Sequence, residues 1–284
     1  GIVVPNQDPD PALAATEVER YLRAARDALR SKTPDADAAM REAQKALDVD
    51  ATNVEAQVVI AHAYYAKKIY DNAEVILDLL FKNRPTSKSN PYVYYLYGLI
   101  YDRTDRRAQA FAAYKKAVEL DPSHKSALIN VGVHYLMNKQ FDKAVEAYEK
   151  LTGELRVNDA ATWNALGTAY RGKSGDYNPG DGPRDEFLRK SERAYKQAVS
   201  IDANYAPTYY NLGLVYLDAD PYPTESGPMD TLQRLERAKT YFDEYRGMPG
   251  ADLALVDEQT KAVAKSIKRE EKKRKKKPSS DSEG

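Results

Sequence analysis

The chain has 284 residues, 30% charged and 42% hydrophobic, with 43 basic against 43 acidic side chains and no cysteine. The missing cysteine excludes disulfides, thiolate metal sites and cysteine nucleophiles, and no run reaches the roughly 18 apolar residues that a membrane-spanning helix needs. The neutral total hides an acidic body with a basic tail: Lys261 to Lys277 carries a net charge of about +8, which leaves about −6 on residues 1–260.

Residues 1–11, which open Gly1-Ile2-Val3-Val4-Pro5-Asn6 and turn Asp/Pro-rich, read as an extended spacer. Paired helical segments follow. Leu13 to Leu29, then Ala39, Ala43, Ala46 and Leu47, form a weak first pair. Ile60-Ala61-x2-Tyr64, then Ala73, Leu77, Leu80 and Pro85, form the second. From Pro91 the pattern is uninterrupted: Tyr94-x2-Tyr97-Gly98-x2-Tyr101, then Ala110, Tyr114, Ala117 and Pro122. It returns roughly 34 places later, pairing Gly98 with Gly132, Tyr101 with Tyr135, Ala110 with Ala144 and Tyr114 with Tyr148. Apolar residues three and four apart stripe each helix. Small Gly98, Gly132, Gly167 and Gly213 let paired helices approach closely while large residues fill the gaps.

A further copy opens on Trp163-x2-Leu166-Gly167-x2-Tyr170 and closes on Tyr195 and Ala198. Another opens on Tyr209-x2-Leu212-Gly213-x2-Tyr216 and closes near Ala238, Phe242 and Tyr245. Both are interrupted at the same point, between their two helices. The interruptions, 172–185 and 218–230, are rich in Gly, Pro and Asp and read as inserted loops. Stacked repeats align equivalent turns, so both loops are expected on one rim, where Asp176, Tyr177, Asp181, Asp218, Asp220 and Tyr222 would form an acidic, aromatic edge. Residues 251–276 predict a capping helix with Leu253, Val256, Val263 and Ile267 on one face; its basic end is expected to fray into a disordered tail, 277–284.

This pattern resembles the tetratricopeptide repeat, W-x2-L-G-x2-Y followed by Ala, an aromatic, Ala and Pro, over residues 12–250. The resemblance implies an all-α fold, a right-handed α-solenoid of about six helix-turn-helix units with a C-terminal capping helix. It also implies a concave groove lined by Val58, Tyr65, Tyr92, Tyr95, Leu99, Ile129, Val133, Leu136, Tyr210 and Leu214. Apolar side chains on such a face suit a protein partner; coverage by the array itself is the other reading. Family members that clamp a C-terminal carboxylate carry Lys and Asn there, and these ten positions offer neither.

Signs of chemistry are sparse. His62, His124 and His134 lack metal-ligand spacing. Asp176, Asn178, Asp181, Gly182 and Asp185 hint at a calcium loop, but Gly180 and Asp181 stand in the wrong order for an EF-hand. No phosphate-binding loop or hydrolase motif occurs. The expectation is therefore a non-enzymatic protein-binding scaffold with no cofactor, metal or small-molecule substrate. The basic tail suits an acidic partner or an anionic membrane; the acidic body argues against nucleic acid. The N-terminal stretch is similar to that of a bacterial envelope lipoprotein after its lipidated Cys. With the six repeats and Lys-rich end, the chain resembles the tetratricopeptide lipoproteins of the gliding-motility complex. That resemblance implies a lipid-anchored scaffold on the periplasmic face of the outer membrane; a cytoplasmic adaptor holding a partner's peptide in its groove is the alternative.

Overall fold

The computed structural model describes residues 11–31 and 33–276, so the spacer expected before Pro11 and the tail expected after residue 276 lie outside the described residues. Among the described residues the protein is all-α apart from one short ribbon. It forms two compact units, Gly1–Leu128 and Ile129–Gly284. The first holds α1 (Pro11–Arg30), α2 (Ala36–Val49), α3 (Val54–Ala66), α4 (Tyr70–Asn83), α5 (Pro91–Arg103) and α6 (Arg107–Leu120), and the division falls inside α7 (Lys125–Met137). The second continues with α8 (Phe141–Thr152), α9 (Ala160–Ser174), α10 (Gly182–Ile201), α11 (Ala206–Asp218), α12 (Thr231–Arg246) and α13 (Leu253–Lys276). Pro11 belongs to α1, where a proline at the first turn sacrifices no hydrogen bond.

Short polar residues start the helices. Asp35, Asn53, Asn90, Asp159 and Asp230 each accept a backbone N–H of the first turn of α2, α3, α5, α9 and α12; losing such a cap costs about 1 kcal/mol. The uninterrupted hairpins turn alike. Lys68, Asp105 and Lys139 adopt φ of 62°, 59° and 54°, and the next N–H reaches back to Tyr64, Tyr101 and Tyr135 carbonyls at 2.8–2.9 Å. That six-to-one bond and left-handed residue are the Schellman ending of a helix.

Within hairpins the glycines seat aromatic rings. A Cβ on Gly132 would stand 2.7 Å from the Tyr148 ring, one on Gly167 2.6 Å from Tyr195 and one on Gly213 2.5 Å from Phe242; Gly98 meets Tyr114 in the same way. Between helices, tyrosine is favoured over phenylalanine because its hydroxyl has a carboxylate to reach. Tyr97 donates to Asp78 (2.6 Å), Tyr114 to Asp102 (2.9 Å), Tyr170 to Glu149 (2.6 Å) and Tyr216 to Glu192 (2.5 Å). Burial and these carboxylates hold the Tyr97, Tyr170 and Tyr216 phenols above the ordinary tyrosine range.

Both interruptions differ from the inserted loops expected. The first is largely helix: α9 runs on to Ser174 and α10 starts at Gly182, leaving 175–181 as a short turn. The second, 219–230, carries a ribbon pairing β1 (Pro223–Thr224) with β2 (Gly227–Pro228). The last helix also departs from expectation. Val256 and Val263 are buried and Ile267 packs on the same cluster, but Leu253 is exposed. The basic end is helical to Lys276, the bound expected for the capping helix, and on it Arg274 pairs with Asp230 (2.6 Å) and Glu270 (3.2 Å).

Candidate functional site

In the first unit α1, α3 and α5 leave a cavity of about 490 Å³, closed at one end by Ser126. Its floor is aromatic and apolar: Val58 and Val59, then His62, Tyr92 and Tyr95. Consecutive repeats set these rings side by side, so Tyr65, His62, Tyr92 and Tyr95 follow one another at centroid distances of 5.8–6.2 Å, and Tyr95 lies 5.0 Å from His124. Leu29, Arg26 and Arg30 of α1 and Glu55 of α3 form the opposite wall. Arg26 is shared between Glu19 and Glu55, whereas Arg30 makes no salt bridge among the described residues. The groove therefore joins apolar anchors to a wall on which the charges of two arginines and two glutamates balance and Arg30 keeps its donors open.

Both histidines are engaged through Nδ1. The Tyr92 hydroxyl lies 2.7 Å from His62 Nδ1, and the Ala127 N–H donates to His124 Nδ1 at 3.2 Å, which makes His124 the cap of α7. Burial lowers both imidazole pKa values from the ordinary 6.5, for His124 against the pull of Asp121. The same burial holds the Tyr92 and Tyr95 phenols above the ordinary range. The imidazoles and phenols of the groove thus favour their neutral forms; among the described residues no group of carboxylates, histidines or cysteines could hold a metal ion.

Comparison with known proteins agrees with the repeat. Residues 91–124, spanning α5 and α6, match the tetratricopeptide repeat family. The solved structure of Pseudomonas aeruginosa pilF aligns over 88% of this chain and 98% of its own, with a TM-score of 0.63 at 15% identity. PilW, a widely conserved type IV pilus biogenesis factor, aligns over 76% and 86%, with a TM-score of 0.56 at 15% identity.

Residues 91–124 thus carry a tetratricopeptide repeat, within an all-α fold shared with these structures.

At such identity the two structures speak to the fold alone. A curated relative from Hordeum vulgare, a probable UDP-N-acetylglucosamine–peptide N-acetylglucosaminyltransferase SPINDLY, is 31% identical over 109 residues, 38% of this chain. The chain spans only 11% of that relative's length.

The groove positions read from the tetratricopeptide pattern separate by unit. Val58, Tyr92 and Tyr95 line the cavity, Val58 as a core residue 2% exposed, and Tyr65 extends the ring series, while Leu99 packs half-buried on the core. In the second unit Ile129 and Leu136 are half-buried and Val133 is 40% exposed. Tyr210 and Leu214 are half-buried like Tyr95 and Leu99; both pack on the cluster that holds Phe242 and Tyr245 of α12, with Tyr210 against those two rings.

The acidic, aromatic edge also needs correcting. Tyr222 is 2% exposed and donates to Glu192 beside Tyr216. Asp218 is paired with Arg171 and Asp220 with Arg234, both at 3.1 Å. On the shorter turn Asp176 pairs with Lys173, Asp181 accepts the Asn178 N–H, and Tyr177 stacks on Phe187 at 5.9 Å.

Sequence reasoning missed His62, Arg26, Arg30, Glu55 and Ser126. For His62 the signal was present: it follows Ile60-Ala61 as Leu99 follows Tyr97-Gly98, so the repeat register itself sets it on the groove. Asn164, in the register of Tyr95, was missed too, so the groove face does carry an asparagine; its carbonyl accepts from Asn211 at 3.0 Å. The arginines lie on α1, whose weak repeat gave no register to read.

Proposed function

We propose that the protein is a non-catalytic protein–protein interaction scaffold that takes a segment of a partner protein into the aromatic groove of its first unit. One observation carries this reading: the groove keeps a 490 Å³ opening over His62, Tyr92 and Tyr95 beside Arg30, which has no carboxylate partner. Aromatic anchors with a neighbouring unpaired arginine fit a segment that presents an apolar side chain next to an acidic one. Following the sequence resemblance, we assign the scaffold to a trans-envelope gliding-motility complex, lipid-anchored on the periplasmic face of the outer membrane. The exposed lysines at the end of α13 add a contact for an acidic partner or anionic lipid.

A Tyr92→Ala, Tyr95→Ala double variant tests the groove. Binding of the partner recovered with the native chain should weaken by about 2–4 kcal/mol, the range of aromatic hot spots, while the helix signal by circular dichroism persists. Equal recovery with a folded variant would refute the groove as the contact surface. Fractionation of the envelope tests the location, which fails if the protein separates from outer-membrane markers.

A further inference from the structure

In the second unit, three arginines from three helices converge on the turn that follows α11. Arg234 of α12, 3% exposed, donates to the Tyr216 and Leu217 carbonyls (2.6 and 2.9 Å) and pairs with Asp220. Arg171 of α9 pairs with Asp218, yet its Nε–H is buried without an acceptor. Arg184 of α10 is 8% exposed, and its only acceptor is the Pro221 carbonyl at 3.1 Å. Arg184 therefore has no carboxylate. One carbonyl uses one of its five N–H donors, and the remaining guanidinium nitrogens are not buried, so they are open to a ligand.

Beside Arg184 a cavity of about 220 Å³ opens between α9, α10 and α11, lined by Arg171, Arg184, Ser174, Leu188 and Asp218 among others. Three cations face two carboxylates around this turn, and the surplus sits on Arg184 at the cavity wall. We propose that the cavity binds one oxyanion, a phosphate or a carboxylate, held by Arg184 and Arg171. The planar fork of N–H donors on each guanidinium matches two oxygens of either group. Leu188 gives the cavity a dry side that strengthens the pairing. Asp218, whose side chain is 59% exposed, competes for Arg171 and opposes the incoming charge.

The test titrates the whole chain with inorganic phosphate and, separately, with acetate, against sodium chloride at equal ionic strength, followed by calorimetry and thermal melting. At least one oxyanion should bind saturably and raise the melting temperature. Phosphate alone assigns a tetrahedral ligand; acetate as well assigns a carboxylate. Arg184→Gln should weaken binding at least about tenfold, while Asp218→Asn, which frees Arg171 and removes a like charge, should strengthen it several-fold. An Arg184 that only clamps Pro221 gives the other pattern: Arg184→Gln melts lower in every salt and neither oxyanion binds, which overturns the proposal. If Arg184→Gln fails to fold, Asp218→Asn decides alone, and unchanged affinity overturns it too.

Discussion

The groove of the first unit and the interrupted turns of the second use similar residues in opposite ways. In the groove, Tyr92 and Tyr95 meet each other, His62 and His124, and a cavity stays open over them. At the second interruption Tyr222 is driven inward onto Tyr216 and Glu192, and the aspartates are claimed by Arg171 and Arg234. The difference lies in the partners that neighbouring helices supply. On the groove face of a first helix Tyr92 and Tyr95 have other rings beside them, whereas Tyr97, Tyr170 and Tyr216, also on first helices, reach carboxylates. A tyrosine on an inserted turn can fold back onto a carboxylate, and burial then favours that route. Residue type therefore does not mark a recognition surface unless its neighbours leave it unclaimed.

The sharpest way to break this comparison is to unclamp the turn. Arg234→Met removes a buried guanidinium and leaves Asp220 and the Tyr216 and Leu217 carbonyls unsatisfied. The Asp220 side chain is 62% exposed and water can take it up, but each buried carbonyl left without its donor costs about 1–3 kcal/mol, so urea unfolding should show a clear loss. A loss under about 1 kcal/mol would mean the turn stands without its arginines, as a surface ion pair would predict.

The groove offers a second test, through pH. His62 and His124 favour the neutral form, with folded pKa values below the ordinary 6.5. The unfolded chain therefore takes up protons first as pH falls. The stability these groups contribute is complete above pH 6.5 and is lost as pH drops from there through the lowered folded values. A proton on His62 also adds a cation beside Arg26 and Arg30. Melting temperature should decline over that window, and a His62→Gln, His124→Asn variant, with Asn keeping a cap for α7, should flatten the decline. An identical slope in the variant would take the histidines out of the account.

The smallest effect belongs to the basic end. Truncation after Ile267 removes the exposed Arg274–Asp230 pair and little apolar contact. Exposed ion pairs contribute about 0–1 kcal/mol, so the melting temperature should move little. A loss of several kcal/mol would show that the last turns of α13 hold the cap in place.

The repeat was legible because its cause is local. Helical periodicity, the small residue facing an aromatic one at Gly98 and Tyr114 or Gly132 and Tyr148, and the turns at Lys68, Asp105 and Lys139 all act within one hairpin, where sequence spacing fixes spatial spacing. The interruptions were misread as loops because Gly172, Gly175 and Asp176 signal a break; yet α9 continues, with Lys173 reaching Asp142 and Asp176 and the Phe141 ring packing where a side chain at Gly172 would lie.

By itself the sequence determined the all-α repeat, its phase and the glycines on which the hairpins close. Only the tertiary structure decided which nominally exposed residues remain exposed. Tyr210 shares the register of Tyr95, yet it packs on Phe242 and Tyr245 of α12 where Tyr95 meets Tyr92 and His124; the aspartates of the turn are paired by Arg171 of α9 and Arg234 of α12. Burial and charge balance depend on side chains far apart in the chain, and a pattern of local spacings contains no record of them.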